Sequence, residues 1–224
     1  MAGPDLERAR EQVAAACRRL AAEGLVVGTA GNVSAREGDR VAISATGVVL
    51  ADATPDQVTV VDLDGRVVGG DLEPTSELDL HLGVYRRYDA GAVVHTHSPT
   101  ATALSCVLEG ELPVVHYQML LFGGPLRVAP YATFGTPELA ATVLEALDGR
   151  TGALMANHGA ITHAPDLGGA VDLTLLLEWS CEVYWRAAAV GTPRELDEGQ
   201  RQAVIDAAVR RRYGTTKAVG EGER

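Results

Sequence analysis

The stretch Ala92-Val-Val-His-Thr-His97 decides how the rest of the chain is interpreted. It starts with three apolar residues and is closed by Ser98-Pro99, a pattern that predicts a short buried strand ending in two histidines. Side chains two positions apart in a strand project from the same face. His95 and His97 can therefore direct both imidazoles at one point, as two zinc ligands would, although two hydrogen-bonded histidines at a strand end would show the same pattern.

Helical and strand patterns alternate on both sides of this stretch. Helices are predicted at 5–24, from Glu77, and at 100–108, 137–147, 167–190 and 195–211, and strands at 41–44, 58–62, 67–68 and 152–156. The hairpin turn Asp64-Gly65 and the short connections disfavour a purely parallel sheet. The sequence therefore predicts a single-domain α/β protein, an α/β/α layer fold around a largely antiparallel sheet. We expect this domain to span residues 1–212 and a mobile tail to occupy 213–224.

Composition restricts the partners. The chain has 224 residues and a net charge of −11, from 19 basic and 30 acidic side chains. Such a surface does not attract nucleic acid or an anionic membrane, so a phosphorylated ligand would have to be held by local N–H groups, hydroxyls and a metal ion. The three cysteines argue against a disulfide framework, and we find neither a signal peptide nor a membrane-spanning apolar run. We therefore expect a cytoplasmic protein.

A third histidine is a candidate ligand because of its place in a turn. His158 lies in Asn157-His-Gly159, where an apolar strand meets glycine and the backbone must turn sharply.

The spacing of residues alone does not identify the fourth ligand. Glu77 follows Pro-Thr-Ser at the start of a predicted helix, with Thr75 or Ser76 as its cap, but acidic residues are also favoured there by the helix dipole. His81, four residues later on the same helical face, is the rival. We rank His81 lower because its leucine neighbours suggest that it faces the core as a hydrogen-bonded histidine.

Several motifs in a fixed order resemble those of a known family. They are Gly-Thr-Ala-Gly-Asn-Val-Ser at 28–34, Thr46-Gly47, Ser76-Glu77, His95-Thr-His97, His116-Tyr117, Tyr131-Ala-Thr-Phe-Gly135 and His158-Gly159. In this combination the chain resembles the class II aldolase and adducin-head family over residues 28–213, and within it the branch that acts on L-fuculose 1-phosphate.

The resemblance implies a site and a reaction. It implies one Zn²⁺ ion per subunit held by Glu77, His95, His97 and His158, which favours Glu77 over His81. It also implies reversible cleavage of a ketose 1-phosphate, such as L-fuculose 1-phosphate, to dihydroxyacetone phosphate and a short aldehyde, with Glu77 as the base. The residues implied for the substrate phosphate are Gly31, Asn32, Thr46, Gly47, Thr75 and Ser76.

The resemblance further implies a homotetramer with active sites between subunits. In it Tyr117 would serve a neighbour's metal, and Phe134 and Tyr213 would complete the pocket. The sequence alone is equally consistent with Tyr117 and Phe134 in the core and Tyr213 at an exposed end.

Other functions within and outside this family share some of these sequence features. Lys217 is the single lysine and lies in the tail, which argues against an aldolase that works through a buried lysine. A pentulose-phosphate 4-epimerase or a methylthioribulose-1-phosphate dehydratase is the nearest alternative: the epimerases resemble this chain at His95-Thr-His97-Ser98 but have Asp in place of Glu77. A non-catalytic adducin-head-like binding module is the alternative of another class, disfavoured because all four candidate ligands are present.

Overall fold

A computed structural model describes residues 4–214. Its helices are α1 (Pro4–Ala22), α2 (Leu78–Arg87), α3 (Pro99–Ser105), α4 (Pro137–Ala146), α5 (Leu167–Val190) and α6 (Glu198–Arg211). Its strands are β1 (Asn32–Glu37), β2 (Arg40–Ser44), β3 (Val58–Asp62), β4 (Val67–Gly69), β5 (Ala92–Thr96), β6 (Glu111–Leu112), β7 (Leu126–Ala129), β8 (Gly152–Met155) and β9 (Gly159–Ala164).

The strands form one mixed sheet. Over the described residues its order is β4-β3-β2-β1-β5-β9-β8-β7-β6, and every neighbouring pair is antiparallel except β7 and β8. The strand predicted around His95 lies at the centre, between β1 and β9. The prediction of a largely antiparallel sheet is confirmed.

Helices cover both faces of this sheet because side chains alternate between them. Val33 and Val94 pack with the apolar side chains of α1 and α5. Val93 and Ile161, from neighbouring strands, face the other way and pack with α2 and α4. The α/β/α layer arrangement predicted from the sequence is therefore present, and the helices leave the ends of the central strands open for a site.

One expectation about α2 is wrong. We expected the helix to begin at Glu77 with Thr75 or Ser76 as its cap, but it begins at Leu78, and Glu77 itself is the capping position, with φ −98° and ψ 24°. The Thr75 hydroxyl accepts a hydrogen bond from the Glu77 N–H at 3.3 Å, outside the helix. This turn directs the Glu77 carboxylate toward the sheet instead of along the helix axis.

The expected tail lies largely outside the described residues. Helix α6 ends at Arg211, and Tyr213 and Gly214 are the last residues that the structure describes, so 215–224, with Lys217, lie outside them. Within residues 4–214, no helix combines the length and apolar character that a membrane crossing requires. The described cysteines Cys17, Cys106 and Cys181 are free thiols.

Candidate active site

Four side chains from three parts of the chain meet at one end of the central strands. His95 is the fourth residue of β5, His97 follows that strand, His158 lies in the turn between β8 and β9, and Glu77 precedes α2. The turn at His158 is tight because Asn157 adopts a left-handed conformation, with φ 56°. Two strand ends and one helix start therefore converge, although the spacing of the histidines predicted only that His95 and His97 share a face.

The nitrogen and oxygen atoms of this cluster are close enough to share one ion. Each histidine offers a ring nitrogen, and the three nitrogens lie within 4.8 Å of one another. The Nε2 atoms of His95 and His97 are 3.0 Å apart. The Glu77 carboxylate lies 3.2 Å from His95 Nε2 through one oxygen and 3.4 Å from His158 Nε2 through the other. His81 is not part of this group.

The cluster consists of hydrogen-bond acceptors that face each other. The Nδ1–H of His95 donates to the Ala160 carbonyl at 2.9 Å, so in neutral His95 the inward Nε2 carries a lone pair. Burial lowers the pKa of His97 to about 4, with the same effect from His95 and His158. Burial and His95 lower the pKa of His158 to about 4 as well. Three imidazole nitrogens and a carboxylate are a donor set that fits a divalent cation.

Glu77 is buried, and only one of its two carboxylate oxygens has a hydrogen-bond partner. Its Oε2 accepts a hydrogen bond from the Asn32 side-chain amide at 2.8 Å, whereas its buried Oε1 has no hydrogen-bond partner. Burial acts to raise the pKa of this carboxyl, but His95 and the Asn32 donor outweigh burial, and the pKa lies below its ordinary value. Glu77 is therefore ionised at neutral pH, with one oxygen available to a cation or a substrate proton.

A buried polar chain extends from Glu77 away from the histidine cluster. Asn32 Oδ1 lies 2.5 Å from His81 Nε2, and His81 Nδ1 lies 2.7 Å from the Ser34 hydroxyl. The Ser34 oxygen is 2.6 Å from the Tyr85 hydroxyl. Burial lowers the pKa of His81 to about 3, so this histidine is neutral. The expectation that His81 is a hydrogen-bonded core histidine is confirmed.

A cleft of about 140 Å³ opens beside the cluster. Glu77, His97, His158 and Phe134 form part of its wall. All six residues predicted to hold the phosphate line the same cleft: Gly31, Asn32, Thr46, Gly47, Thr75 and Ser76. Among the described residues that line it, none is Lys or Arg, so the polar groups that it offers an anion are amides, hydroxyls and imidazoles. These are the kinds of group that the acidic composition led us to expect around a phosphate.

Two glycines are required by close approach to the strand that carries the histidines. Gly31 has a φ of +98°, and a Cβ there would lie 2.9 Å from the His95 carbonyl oxygen. At Gly159 a Cβ would lie 2.3 Å from the Thr96 carbonyl oxygen. Side chains at these positions would push β1 and β9 away from β5.

The aromatic residues predicted for the pocket are divided between two places. Phe134 is on the wall of the cleft and 66% exposed. Tyr117 and Tyr213 line a separate apolar cavity between α6 and the 3₁₀ segment Tyr117–Phe122, and their hydroxyls are 3.3 Å apart. All three side chains are exposed, so they are not core residues. Within one chain, the structure does not bring the two tyrosines to the histidine cluster.

Sequence reasoning missed the residues that support the cluster. The Ala160 carbonyl, which orients His95, has no side-chain signal at all. Ser34 and Tyr85 had a weak signal: Ser34 follows Asn32 by two strand positions, and Tyr85 continues the four-residue spacing of Glu77 and His81 on α2. Only the packing of α2 on β1 shows that these two patterns meet.

Fold and site together define an α/β/α enzyme with a three-histidine candidate metal site beside a carboxylate. The family model described as Class II Aldolase and Adducin N-terminal domain matches residues 11–185. The chain belongs to the class II aldolase and adducin family, as the motifs predict. Its members include metal-dependent enzymes, and the cluster is where this chain offers a metal site.

Relatives over nearly the whole chain are named as aldolases. The 5-deoxy-D-ribulose 1-phosphate aldolase of Bacillus thuringiensis serovar kurstaki is 39% identical over 201 residues, covering 88% of this chain and 93% of the relative. The 5-methylthioribulose-1-phosphate/5-deoxyribulose-1-phosphate aldolase of Rhodospirillum rubrum is 38% identical, covering 85% and 86%. A solved L-fuculose 1-phosphate aldolase superposes with a TM-score of 0.85 at 32% identity, covering 92% of this chain and 97% of that one. The chain is thus an enzyme of the aldolase class, a lyase.

Proposed function

We propose that this enzyme is a zinc-dependent class II aldolase that reversibly cleaves a ketose 1-phosphate to dihydroxyacetone phosphate and a short aldehyde. One observation carries the proposal: Glu77, His97 and His158, which cluster with the buried His95, line the same cleft as several glycines and small hydroxyl residues. That arrangement provides a cation site and a base beside an anion cradle.

The proposed metal ligands are His95, His97, His158 and, before substrate enters, Glu77. The unpartnered Oε1 of Glu77 and the lone pairs of the imidazoles supply the negative and neutral donors that Zn²⁺ prefers. When bound, the ion supplies Lewis acidity for the negative charge that develops on the ketose oxygens as the carbon–carbon bond breaks. No lysine lies among residues 4–214, so no described side chain could form a Schiff base instead.

The cleft residues position the substrate. The amides and hydroxyls around Gly31, Thr46 and Ser76 would hold the phosphate, since loop N–H groups can bind an anion without a positive side chain. Asn32 differs from that expectation in one respect, because its Oδ1 and one N–H are already engaged by His81 and Glu77. Of its side chain, only the second amide hydrogen remains for a ligand.

Glu77 is the proposed base. In the synthesis direction it would remove a proton from the hydroxymethyl carbon of dihydroxyacetone phosphate, and in cleavage it would return that proton. Its Oε1 has no hydrogen-bond partner, and Glu77 is one of the residues that line the cleft in which that carbon would lie. Tyr117 of a neighbouring subunit would donate a proton to the aldehyde oxygen, since Tyr117 lies in the other cavity of its own chain.

This role for Tyr117 requires a homotetramer with sites at subunit interfaces, which we include in the proposal. The surface formed by Tyr117, Leu121, Ile205, Val209 and Tyr213, here called the α6 surface, is apolar and each member is at least 41% exposed. Exposed apolar patches of this kind are typical of contact between subunits.

The substrate that we favour is a 5-deoxypentulose 1-phosphate. Two relatives with 38–39% identity are named for 5-deoxyribulose 1-phosphate, one also for its methylthio analogue, whereas the solved structure named for L-fuculose 1-phosphate is 32% identical. Deoxy and methylthio ends are apolar, and the exposed Phe134 would contact such a group.

A substrate panel tests the proposal. Purified enzyme is supplied with 5-deoxyribulose 1-phosphate, 5-methylthioribulose 1-phosphate, L-fuculose 1-phosphate and ribulose 5-phosphate, and released dihydroxyacetone phosphate is measured. The proposal predicts triose release from the 1-phosphates, fastest from the 5-deoxy compounds. Conversion of ribulose 5-phosphate without triose would replace it with epimerase activity, and loss of water from the methylthio compound would replace it with dehydratase activity.

A further inference from the structure

His81 occupies an unusual place beside the proposed base. It is completely buried and is not one of the three histidines that could share an ion, yet both of its ring nitrogens have partners in a chain of hydrogen bonds that ends on Glu77. A histidine that only filled space in the core would not need hydrogen-bond partners that connect it to Glu77.

Hydrogen positions in this chain follow from which atoms can donate. The Asn32 side-chain nitrogen donates to Glu77 Oε2 at 2.8 Å, and its Oδ1, which can only accept, faces His81 Nε2 at 2.5 Å. The nitrogen of His81 that faces this carbonyl, Nε2, must then carry the proton. Its Nδ1 therefore accepts from the Ser34 hydroxyl, and the Ser34 oxygen accepts from Tyr85.

Every member of the chain thus donates toward Glu77. An asparagine amide rotated by half a turn occupies nearly the same space, but it would place Oδ1 against the Glu77 oxygen and an N–H against the Nε2 proton of His81. Neighbouring hydrogen bonds in a buried chain also polarise one another. The orientation of Asn32 therefore depends on His81 as well as on Glu77.

We propose that His81 is a positioning residue for the reaction: by donating from Nε2 to Asn32, it holds the Asn32 amide with its N–H toward Glu77 and so fixes the carboxylate. The role rests on the proposed function of Glu77. It explains why Asn32, His81 and Glu77 are linked through buried contacts although none of them is adjacent in sequence.

The nitrogen-15 spectrum of the histidine rings tests the geometry without any assay of activity. Metal-loaded protein labelled at histidine is compared with a His81→Gln variant, whose missing signal assigns residue 81. The proposal predicts a neutral ring with its proton on Nε2. A proton on Nδ1, or a ring that is charged at neutral pH, would overturn it.

Proton exchange tests the role. Dihydroxyacetone phosphate is incubated with enzyme in heavy water, and deuterium incorporation at the hydroxymethyl carbon reports the base alone. His81→Phe should slow this exchange about 10- to 100-fold, the value of a hydrogen bond to a charged group, while metal content stays unchanged and KM shifts by less than about threefold. His81→Gln should recover most of the rate, because its side-chain N–H can still donate to Asn32.

The matched control is His163→Phe. His163 is also buried and hydrogen-bonded, to the Arg150 carbonyl at 3.0 Å, but it lies at the opposite end of the β5–β9 pair from the cluster. Equal rate losses in the two phenylalanine variants, or no recovery in His81→Gln, would overturn the positioning role. If the unmodified enzyme exchanged no proton, the proposed function would fail instead, and the ring spectrum would still decide whether His81 orients Asn32.

Discussion

Asn32 on β1 is the cross-strand partner of His95 on β5. Asn32, whose amide contacts Glu77, therefore lies directly opposite His95, a candidate metal ligand. Both side chains project from the same face of the sheet. A slip of one residue in the pairing would turn Asn32 to the opposite face. The sheet register thus helps to set the geometry of the site, and the residues that fix the register have consequences for activity.

A side chain at Gly31 and one at Gly28 would cause different strain, a steric clash in addition to backbone strain at Gly31 and backbone strain alone at Gly28. Both have positive φ, +98° and +60°, but only Gly31 has a neighbour that a Cβ would meet, the His95 carbonyl oxygen at 2.9 Å. We expect Gly28→Ala to lower the free energy of unfolding by about 1 kcal/mol and Gly31→Ala to lower it by roughly 1–3 kcal/mol more, because of the clash. Urea unfolding of the two variants measures this difference. Equal losses would show that β1 is free to move away from β5.

Glu77→Gln should separate metal binding from turnover. Glutamine has nearly the same shape and the three histidines remain, so most of the zinc should stay bound, whereas triose release should fall by about 10²- to 10⁴-fold because an amide cannot accept the substrate proton. Metal analysis and a steady-state assay on the same sample give both values. Asp79→Asn, an exposed acidic residue in the first turn of the same helix, is the control and should keep full activity. Undiminished turnover in Glu77→Gln would exclude it as the base.

The metal-free protein should lose stability as the solution is acidified from neutral pH to about pH 4. Burial lowers the pKa of His81 to about 3 and, with neighbouring histidines, that of His97 and His158 to about 4, from an ordinary 6.5. Across that interval the unfolded chain binds protons that the folded chain does not, so the free energy of unfolding rises with pH and falls on acidification. Urea midpoints of chelator-treated protein at several pH values measure it. A stability that is constant or increases toward pH 4 would contradict the lowered pKa values.

The proposed tetramer can be tested at the α6 surface. Val209→Asp places a charge on a side chain that is 74% exposed in the single chain, and the charge would be buried if this surface lies between subunits. Light scattering should then change from four chains of 23.5 kDa to smaller species, with loss of activity. Val68→Asp, on the edge strand β4, is the control and should leave the mass unchanged. A monomeric unmodified protein with full activity would refute the shared site.

The sequence predicted the parts of the site that depend on local spacing. His95 and His97 share a face because strand side chains alternate, and the glycine after His158 indicated a sharp turn. The acidic composition led us to expect a phosphate cradle of N–H groups and hydroxyls, and the described lining of the cleft contains such residues and neither Lys nor Arg. These features need no knowledge of how distant segments pack.

The parts that depend on packing could not be predicted. His81 and Glu77 were rivals on spacing alone, and the structure separates them because Glu77 stands outside α2 while His81 lies one turn inside it against β1. The predicted start of α2 was wrong for the same reason, because the Glu77 side chain is turned toward the sheet. The location of Tyr117 and Tyr213 in a second cavity depends on how α6 packs against the 3₁₀ segment, which no local pattern encodes.

In the proposed function, His95, His97 and His158 hold one divalent cation on which carbon–carbon cleavage depends. Zinc content and triose release are measured together on purified enzyme, on chelator-treated enzyme and on treated enzyme supplied with Zn²⁺. We predict near one zinc per chain, loss of triose release with the metal and recovery with its return, and no recovery in His97→Ala. Full triose release from enzyme that retains almost no metal would show that cleavage does not depend on a cation at these histidines.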